Sequence, residues 1–511
     1  MAFYHLHDLS ELNIAFIAWS LIVLIYSLFG RILKTKLFLT SSVFAILVGM
    51  IFSLITGLVN GGRTINSNID LLFYVAAIGA QIQLFLTAIY LPKHYIWLRR
   101  RELGILLFIT KPLMVAFGFA FAVLFFYKNF PVNLLEYWLL SSILAITDPV
   151  LLSDYFKGRF AVKHLPIELS YLLLAEAALN DSFGLLYIGL PVSFRVLSDQ
   201  SFMIVLLRYF LHVIVWKYIL GGFIGGLLGY FGARLLAFSE RRILFDKQSF
   251  LTYTVALTVF VGSLTLIINT NTFFSVFVSG MVFNWFSSHL NRQIETHYQD
   301  TIDSLLNFTF FLIFGLYIPW TEFGNIGVVM LLLFSASLVF IRRIVATFFP
   351  IFFARRNGLF HFFSKWDLSF VGFFAPIGTT SLWYTIWALN QFNQELPIFE
   401  ITVFVILFCV FLFGIVSTPF IFLYYKILHP DVTQINSEIT LIKLRQSEDN
   451  DLRQLERIKY LREIQHLSEQ EHSELKQLRR DRELTGKAED IEIMDDSEVQ
   501  QFDDKMYHPR T

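Results

Sequence analysis

The ten residues ILAITDPVLL, Ile143–Leu152, lie inside an apolar run long enough to cross a bilayer, and they contain an acid followed by a proline. Pro149 has no backbone N–H and its ring clashes with the preceding turn, so a helix through this stretch is kinked or unwound. Backbone broken at membrane depth persists only where protein or a water-filled cavity satisfies its polar groups. Thr147 and Asp148 then stand beside freed carbonyl oxygens, a set of groups that suits a small hard cation. A simple proline kink is the alternative interpretation.

Composition indicates an all-α polytopic membrane protein. Of 511 residues 56% are hydrophobic and 58 are Phe. Apolar runs of about twenty residues, the length that a helix needs to cross a bilayer, recur along the chain. The one cysteine leaves no disulfide or thiolate metal site to consider. Charges and clusters of Gly, Pro or Asn divide the apolar runs into thirteen predicted spans: 13–29, 38–59, 69–90, 104–126, 135–156, 166–190, 203–234, 249–269, 272–288, 301–319, 325–349, 366–390 and 398–425.

Basic residues are distributed unevenly between the two sides of these spans. Connections that follow odd-numbered spans carry nineteen Lys and Arg residues, whereas those that follow even-numbered spans carry only Arg63, Lys128 and Arg195. Because cytoplasmic connections are enriched in Lys and Arg, this asymmetry supports the count of thirteen. It predicts an N-terminus outside and a C-terminus in the cytosol.

The chain changes character near residue 430. Residues 1–430 hold 27 basic and 20 acidic side chains, whereas residues 431–511 hold 13 basic and 20 acidic ones. We therefore predict a transmembrane domain over 1–430 and a charged cytosolic tail over 431–511. Within the tail, residues 437–484 are typical of a solvated amphipathic helix, with a regulatory or partner-binding segment as the alternative. The acidic stretch after it is typical of disorder.

The twelfth span contains a second interruption, GFFAPIGTTS, in which Gly372 and Gly378 flank Pro376. Spans five and twelve are seven apart, so they cross the membrane in opposite directions. Two inverted repeats, built from spans one to six and eight to thirteen, require this relation. Interruptions at matching places in inverted halves are typical of a transporter whose substrate binds where the broken helices meet. The sequence thus predicts a binding site where the helices broken at Pro149 and Pro376 meet.

Ionisable side chains inside the spans are few. Each costs at least about 2.5–3.5 kcal/mol at mid-bilayer, so a protein retains them where they pair, line water or have a function. We expect Lys111 and Arg208 to lie near enough to a span end for their charges to reach the membrane surface. The remaining intramembrane charges are Asp148, Glu176, Asp181, Lys217, Arg342 and Arg343.

Two of these acids belong to the sequence EAALNDSFG in the sixth span. On a helix Glu176 shares a face with Asn180, whereas Asp181 is turned about 140° from Glu176 and lies roughly 7.5 Å further along the axis. The two acids therefore have different neighbours. Arg343 is the expected partner of Glu176, because arginine stays charged and can bind a carboxylate through two parallel hydrogen bonds. Arg342 is the alternative partner.

This division leaves Asp181 opposite the break at Pro149. Dehydration favours the protonated carboxyl and a bound cation favours the carboxylate, so near neutral pH the group holds a proton or a metal ion, but not both well. A protein that exposes such a group to either side only when it is occupied exchanges protons for cations. A satisfied polar network between helices is the alternative interpretation of Glu176 and Asp181.

The order and spacing of these motifs resemble the fungal plasma-membrane sodium/proton antiporters of the monovalent cation/proton antiporter superfamily. The TDP of Thr147–Pro149 and the E-x-x-x-N-D of Glu176–Asp181 match that family's paired signature in consecutive spans. The likeness covers essentially the whole membrane domain. It continues through LPKHY (91–95), FDKQSFL (245–251), FVSGMVFNW (277–285), DSLLNFTFFLIFGLYIPW (303–320), IRR (341–343) and FVGFFAPIG (370–378).

The resemblance implies a fold of the NhaA/NhaP antiporter type, with crossed broken helices, a homodimer and elevator-like alternating access. It implies that Asp181 binds both the cation and the proton, and that Thr147 and Asp148 line the same site as ligands of Na⁺ or K⁺. It further implies that Glu176 pairs with the arginine of span eleven, and that Asn180 accompanies electroneutral exchange.

The chain departs from that family's pattern at several positions, which affects ion selectivity and affinity more than the transport cycle. The departures are Tyr90 for a Glu, Asn271 and Thr272 for an Asp pair, Phe373 for a His, Ala177 for a Ser or Gly, and Lys217 for an acid.

We therefore expect a plasma-membrane secondary antiporter that exchanges Na⁺, or alternatively K⁺ or Li⁺, for H⁺. We expect no cofactor and no nucleic-acid partner, and the partner of the tail stays unidentified. A transport-inactive ion or pH sensor with the same fold is the first alternative. An intramembrane enzyme is the second, and it is disfavoured because the sequence has no H-E-x-x-H, G-x-S-x-G or phosphate-binding loop.

Overall fold

A computed structural model describes the helical core of the chain. The described residues are 17, 19–21, 23–26, 28–29, 40–56, 69–156, 165, 167–242, 249–287, 292–356, 365–392 and 395–428. The chain divides into two compact units, Met1–Val432 and Thr433–Thr511. The second unit, and with it the helix predicted at 437–484, lies outside the described residues.

The first half of the described chain consists of helices joined by short connections. Two π-helical segments, Leu106–Thr110 and Phe210–Leu220, join α4 to α5 and α10 to α11 among these helices. The bounds are α1 Ser41–Thr56, α2 Ile69–Tyr90, α3 Tyr95–Leu98, α4 Arg100–Ile105, α5 Lys111–Phe126, α6 Leu134–Leu144, α7 Pro149–Phe156, α8 Ile167–Ser182, α9 Gly184–Val196, α10 Phe202–Tyr209 and α11 Gly221–Arg241.

The second half is built in the same way. A third π-helical segment, Ser337–Arg342, joins α16 to α17. The bounds are α12 Ser249–Ile267, α13 Thr272–Phe286, α14 Arg292–Leu316, α15 Trp320–Ile326, α16 Val328–Ala336, α17 Arg343–Arg356, α18 Lys365–Phe373, α19 Thr379–Leu389 and α20 Ile398–Leu428.

Helices occupy the positions of predicted spans two to thirteen, with boundaries that differ by several residues. Among the described residues seven helices are long and apolar enough to cross a membrane, or eight if α14 and α15, which meet at a bend of 62°, form one span. Shorter apolar helices lie at the second, eighth and ninth predicted spans. The helices of the described residues agree with the all-α membrane architecture that the sequence predicts. The count of thirteen spans and their orientation in the membrane stay predictions.

Two spans are interrupted and their interruptions touch. α6 ends at Leu144 and α7 begins at Pro149, in the first helical turn, where the missing N–H of proline leaves no hydrogen bond unmade. α18 ends at Phe373 and α19 begins at Thr379, with Pro376 in the non-helical segment between them. The Asp148 backbone N–H donates to the Pro376 carbonyl at 2.8 Å.

A further interruption lies in the sixth span, at Phe183 between α8 and α9, where the sequence predicts one continuous span.

Glycines bring α11 and α13 into close contact. A Cβ on Gly225 would lie 2.9 Å from Ser275 Cα, and one on Gly229 would lie 2.9 Å from Ser279 Cα, closer than real Cβ atoms approach. Small residues at a four-residue spacing are the usual means by which membrane helices pack backbone to backbone. The packing of α11 on α13 therefore depends on these two positions.

We predict that Gly225→Ala lowers stability by about 1–3 kcal/mol, because the added methyl group forces the two backbones apart. The thermal unfolding midpoint of the purified protein in detergent measures this loss. Gly226→Ala is the matched control, since a Cβ there meets Val278 Cγ1 at 3.7 Å and Val282 Cγ2 at 3.9 Å, both ordinary contacts. Equal midpoints for the two variants would contradict the close packing.

Candidate ion-binding site

Asp148 lies where the two interruptions meet, and its side chain is fully buried. Its Oδ1 accepts a hydrogen bond from the Val150 N–H at 2.7 Å, at the start of α7. Its Oδ2 accepts from the Thr379 hydroxyl at 2.9 Å, and also from the Thr379 N–H, at the start of α19. Gly378 permits this approach, because a Cβ there would collide with the Asp148 carboxylate. One carboxylate therefore lies at the positive, N-terminal ends of both α7 and α19, where a negative charge is most favourable.

Side chains from other helices satisfy the carbonyl groups at the end of α6. The Arg342 guanidinium donates to the Leu144 carbonyl at 2.8 Å, and the Ser381 hydroxyl donates to the carbonyl one residue earlier at 3.1 Å. The Asn180 amide nitrogen reaches the Ala145 carbonyl at 3.4 Å. The broken backbone is thus satisfied by protein groups, as burial in a membrane requires.

Asp181 lies in the last turn of α8 and is fully buried. Its Oδ2 accepts a hydrogen bond from the Thr380 hydroxyl at 2.6 Å. Its Oδ1 has no hydrogen-bond partner within the described ranges. Thr380 is adjacent to Thr379, which binds Asp148, so the structure brings both acids to the start of α19.

Asn180 connects Thr147 to Glu176. Its amide nitrogen donates to Thr147 Oγ1 at 2.7 Å and lies 3.4 Å from Glu176 Oε1. Its own Oδ1 is buried and has no hydrogen-bond partner in the part of the chain that the structure describes. The amide oxygen of Asn180 and one carboxylate oxygen of Asp181 are therefore acceptors left over beside the interruptions.

Glu176 forms a buried ion pair with Arg343. Arg343 Nη1 and Nη2 lie 3.2 Å from Glu176 Oε1 and Oε2 respectively, in the parallel geometry of a bidentate pair. The Arg343 side chain is 2% exposed and the Glu176 side chain is 4% exposed. Arg343 Nη2 also lies 3.5 Å from the Val371 carbonyl in α18. Arg342, the alternative partner, points instead to the end of α6, because adjacent residues on a helix face different directions.

The prediction that Lys111 reaches the membrane surface is wrong. Its side chain is 1% exposed, and its Nζ donates to the Asn180 carbonyl at 2.7 Å. The ammonium also lies 5.0 Å from the centre of the Tyr187 ring. α5 begins at Lys111, directly after the π-helical segment Leu106–Thr110. A π turn rotates its neighbours relative to an α-helical count, so residue spacing gives no signal that this lysine faces inward.

Three hydroxyl residues of the site are not predicted from the sequence. Thr379, Thr380 and Ser381 form the first turn of α19, and each hydrogen-bonds to another broken segment or to an acid. The signal that could have found them is their place in GFFAPIGTTS, directly after Pro376. Gly372, by contrast, belongs to the last turn of α18, and a Cβ there would make ordinary contacts only.

The departures from the antiporter pattern have structural partners of their own. Asn271 caps α13 and donates from Nδ2 to the Ser182 carbonyl at 3.0 Å, next to Asp181. Lys217 is buried and donates to Asn269 Oδ1 at 2.6 Å. The Phe373 ring packs among other aromatic rings, with Phe420 at 5.0 Å and Phe413 at 5.6 Å between centroids.

The chemistry of the site is that of oxygen ligands. No group of three or more His, Cys, Asp or Glu side chains in the described residues could hold a metal ion. A cation here would therefore bind carboxylate oxygens together with hydroxyl, amide or backbone oxygens, as in transporters with broken helices. Such a mixed set with little excess charge suits a monovalent ion that must also be released.

A family model described as the transmembrane sodium/hydrogen exchanger matches residues 21–423. The match covers most of the chain, including both interruptions and every residue of the site. The chain belongs to the sodium/hydrogen exchanger family. The resemblance to fungal sodium/proton antiporters that the motifs indicate is confirmed by the curated relatives.

Two curated relatives of this exchanger-family chain are fungal. The Na⁺/H⁺ antiporter 2 of Zygosaccharomyces rouxii is 26% identical over 414 residues, which are 76% of this chain and 48% of that protein. The Na⁺/H⁺ antiporter of Saccharomyces cerevisiae is 28% identical over 405 residues, which are 77% of this chain and 39% of that protein. The chain thus spans less than half the length of these two relatives.

A solved structure supports the fold of this chain. The sodium proton antiporter MjNhaP1 from Methanocaldococcus jannaschii superposes with a TM-score of 0.56 at 16% sequence identity, covering 80% of this chain and 99% of that chain. At this identity the likeness concerns the fold alone. The antiporter fold that the resemblance implies is confirmed.

We predict that Arg343→Met lowers the stability of the protein by about 3–5 kcal/mol, because Glu176 becomes a buried carboxylate without its partner. The thermal unfolding midpoint in detergent measures the loss. The double variant Glu176→Gln, Arg343→Met removes both charges and is expected to recover part of it. The single variant Glu176→Gln completes the comparison. If the stability loss of the double variant equals the sum of the losses of Arg343→Met and Glu176→Gln, the ion pair is contradicted.

Proposed function

We propose that this chain is a secondary antiporter that exchanges a monovalent cation for a proton by alternating access. The observation that carries the proposal is the pair of buried carboxylates, Asp148 and Asp181, which bind adjacent threonines at the start of α19. The fungal relatives are named Na⁺/H⁺ antiporters, which supports Na⁺ and H⁺ as the two substrates.

Asp181 is the group that carries either ion. Thr380 holds its Oδ2, while its Oδ1 has no hydrogen-bond partner within the described residues. A proton on this carboxyl and a cation beside it neutralise the same charge, so the two ions compete. If the site opens to one side of the membrane at a time, and changes sides only when occupied, each cation that moves one way is exchanged for a proton moving the other way.

Thr147, Asp148 and Asn180 complete the cation site. Asn180 Oδ1 offers a buried oxygen, and its amide nitrogen keeps Thr147 Oγ1 in place. Asp148 contributes its charge but is already bound to the starts of α7 and α19. We assign Asp148 the role of a fixed charge and Asp181 the role of the exchangeable one.

The Glu176–Arg343 pair contributes two opposite charges that do not change during the proposed exchange. Because its two charges are bound to each other, ion exchange changes the charge state at Asp181 alone. Na⁺ and H⁺ each carry one positive charge, so the two loaded states have the same net charge. This arrangement supports electroneutral one-for-one exchange, in line with the Asn180–Asp181 sequence.

The interruptions themselves are part of the proposed mechanism. Pro149 and Pro376 keep the backbone open, and Gly378 admits the Asp148 carboxylate. We further propose that K⁺ and Li⁺ compete with Na⁺, that the protein is a homodimer in the plasma membrane, and that its tail is cytosolic and binds a partner still to be identified.

We predict that Asp181→Asn abolishes cation-dependent collapse of a pH gradient in proteoliposomes, because the amide cannot carry the proton or the charge. A fluorescent pH indicator inside the vesicles measures the collapse after addition of Na⁺, K⁺ or Li⁺. Asp199→Asn is the matched control, since Asp199 is an exposed acid outside the site. Full exchange by Asp181→Asn would refute the assignment, and no exchange by the wild type would favour the ion-sensor alternative.

We predict that Thr380→Val raises the apparent KM for Na⁺ by about tenfold, because the hydroxyl that holds Asp181 is lost. Initial rates of gradient collapse at several Na⁺ concentrations give the KM. Thr385→Val is the control: it lies one turn further along α19, where its hydroxyl donates to the Ser381 carbonyl at 2.9 Å. A KM that is the same for both variants would exclude Thr380 from the site.

A further inference from the structure

Three consecutive carbonyl groups end α8, and side chains from three other parts of the chain donate to them. Lys111 Nζ lies 2.7 Å from the Asn180 carbonyl, Tyr384 Oη lies 3.4 Å from the next carbonyl, and Asn271 Nδ2 lies 3.0 Å from the Ser182 carbonyl. The last carbonyls of a helix have no partner in a following turn, so they need donors from elsewhere. Asp181 is the middle residue of the three.

Lys111 has the shortest of these contacts and carries the only charge among the three donors. Its side chain is 1% exposed, so the ammonium is removed from water and depends on its protein partners. Those partners are the Asn180 carbonyl and the face of the Tyr187 ring, 5.0 Å away. A buried lysine with two such partners holds its position firmly, since any displacement leaves the ammonium unsatisfied.

The carbonyl that Lys111 binds belongs to a residue of the ion site. Asn180 lies directly before Asp181 in α8, and its amide donates to Thr147 Oγ1. Lys111 is thus linked to the site by a hydrogen bond to the backbone of Asn180. No other part of the mechanism described above uses it.

We propose that Lys111 is a positioning residue for cation binding at Asp181. By holding the Asn180 carbonyl it fixes the end of α8, and with it the direction of the Asp181 side chain toward Thr380 and of the Asn180 amide toward Thr147. The proposal rests on the proposed exchange function and names a residue on which the cation affinity of that site depends.

Positioning and charge have different consequences for the two substrates. A nearby positive charge opposes Na⁺ and H⁺ alike, because both are monovalent cations, so its removal leaves their competition nearly unchanged. The positions of the oxygen atoms affect the binding of Na⁺ alone, because Na⁺ needs several oxygens at fixed distances whereas a proton needs only one. Loss of a positioning lysine therefore weakens Na⁺ relative to H⁺ and raises the apparent KM for Na⁺ at constant pH.

The test is Lys111→Met, which keeps an unbranched side chain, one atom shorter than that of lysine, and removes the donor. We expect the apparent KM for Na⁺ in proteoliposomes to rise about tenfold, the loss typical of removing an outer partner of a metal ligand, while Vmax stays within about twofold. Lys111→Arg retains a donor and is expected to recover most of the affinity. Na⁺-dependent thermal stabilisation in detergent reports the same loss of affinity without transport.

Tyr187→Phe is the matched control. It removes the hydrogen bond from Tyr187 Oη to the Leu107 carbonyl, 2.8 Å, at the same helix interface, but it keeps the ring beside Lys111. We expect an unchanged KM for this variant. If it raises the KM as much as Lys111→Met does, the effect belongs to the interface and the positioning role is overturned.

The outcomes separate the two proposals. Wild-type exchange with an unchanged KM and unchanged Na⁺ stabilisation in both Lys111 variants refutes the role of Lys111 and leaves the exchange function standing. Absence of exchange by the wild type refutes the exchange function, and the Na⁺ stabilisation assay then still decides the role of Lys111. If Lys111→Met does not fold, Lys111→Leu, which also lacks a donor, takes its place: a rise of about tenfold in the KM for Na⁺ is expected, and an unchanged KM overturns the proposal.

Discussion

An interrupted helix inside a membrane leaves backbone groups that water cannot reach, and the whole centre of this protein is arranged to satisfy them. Asp148 accepts hydrogen bonds from the starts of α7 and α19, and its own N–H donates to the Pro376 carbonyl. Arg342 and Ser381 donate to the end of α6. The positive ends of two half-helices thus share one carboxylate, while the negative end of a third receives a guanidinium. Each interruption persists because the other supplies its missing partners.

The same arrangement gives the neighbouring acids of the site different surroundings. Glu176 and Arg343 neutralise each other through two hydrogen bonds, and Asp148 is bound by two helix starts. Asp181 differs from them because one of its oxygens has no hydrogen-bond partner in the described ranges. A buried carboxylate with a spare oxygen is costly unless an ion or a proton joins it. This difference between neighbouring acids, rather than the number of acids, is the basis of the proposed exchange.

Several elements of the site could be predicted from local sequence. A proline preceded by an acid in an apolar run indicates an interruption with a polar group beside it, as Asp148 and Pro149 do. The spacing of Glu176 and Asp181 indicates that the two acids face different neighbours. The hydroxyls of Thr379 and Thr380 were missed because threonine is common in membrane helices and carries no pattern of its own. Lys111 was misjudged because a π-helical segment precedes it and changes the direction of its side chain.

The sequence by itself determined that the chain crosses a membrane as helices, where two of them break, and which side chains are too costly to be there without a purpose. These properties depend on hydropathy and on the missing N–H of proline, which act over a few residues. Only the tertiary structure decided that Arg343 rather than Arg342 binds Glu176, 167 positions away, that Asp148 and Asp181 meet at α19, and that Lys111 turns inward. The physical reason is that such pairs depend on how helices rotate and pack against each other, and no short stretch of sequence fixes that rotation.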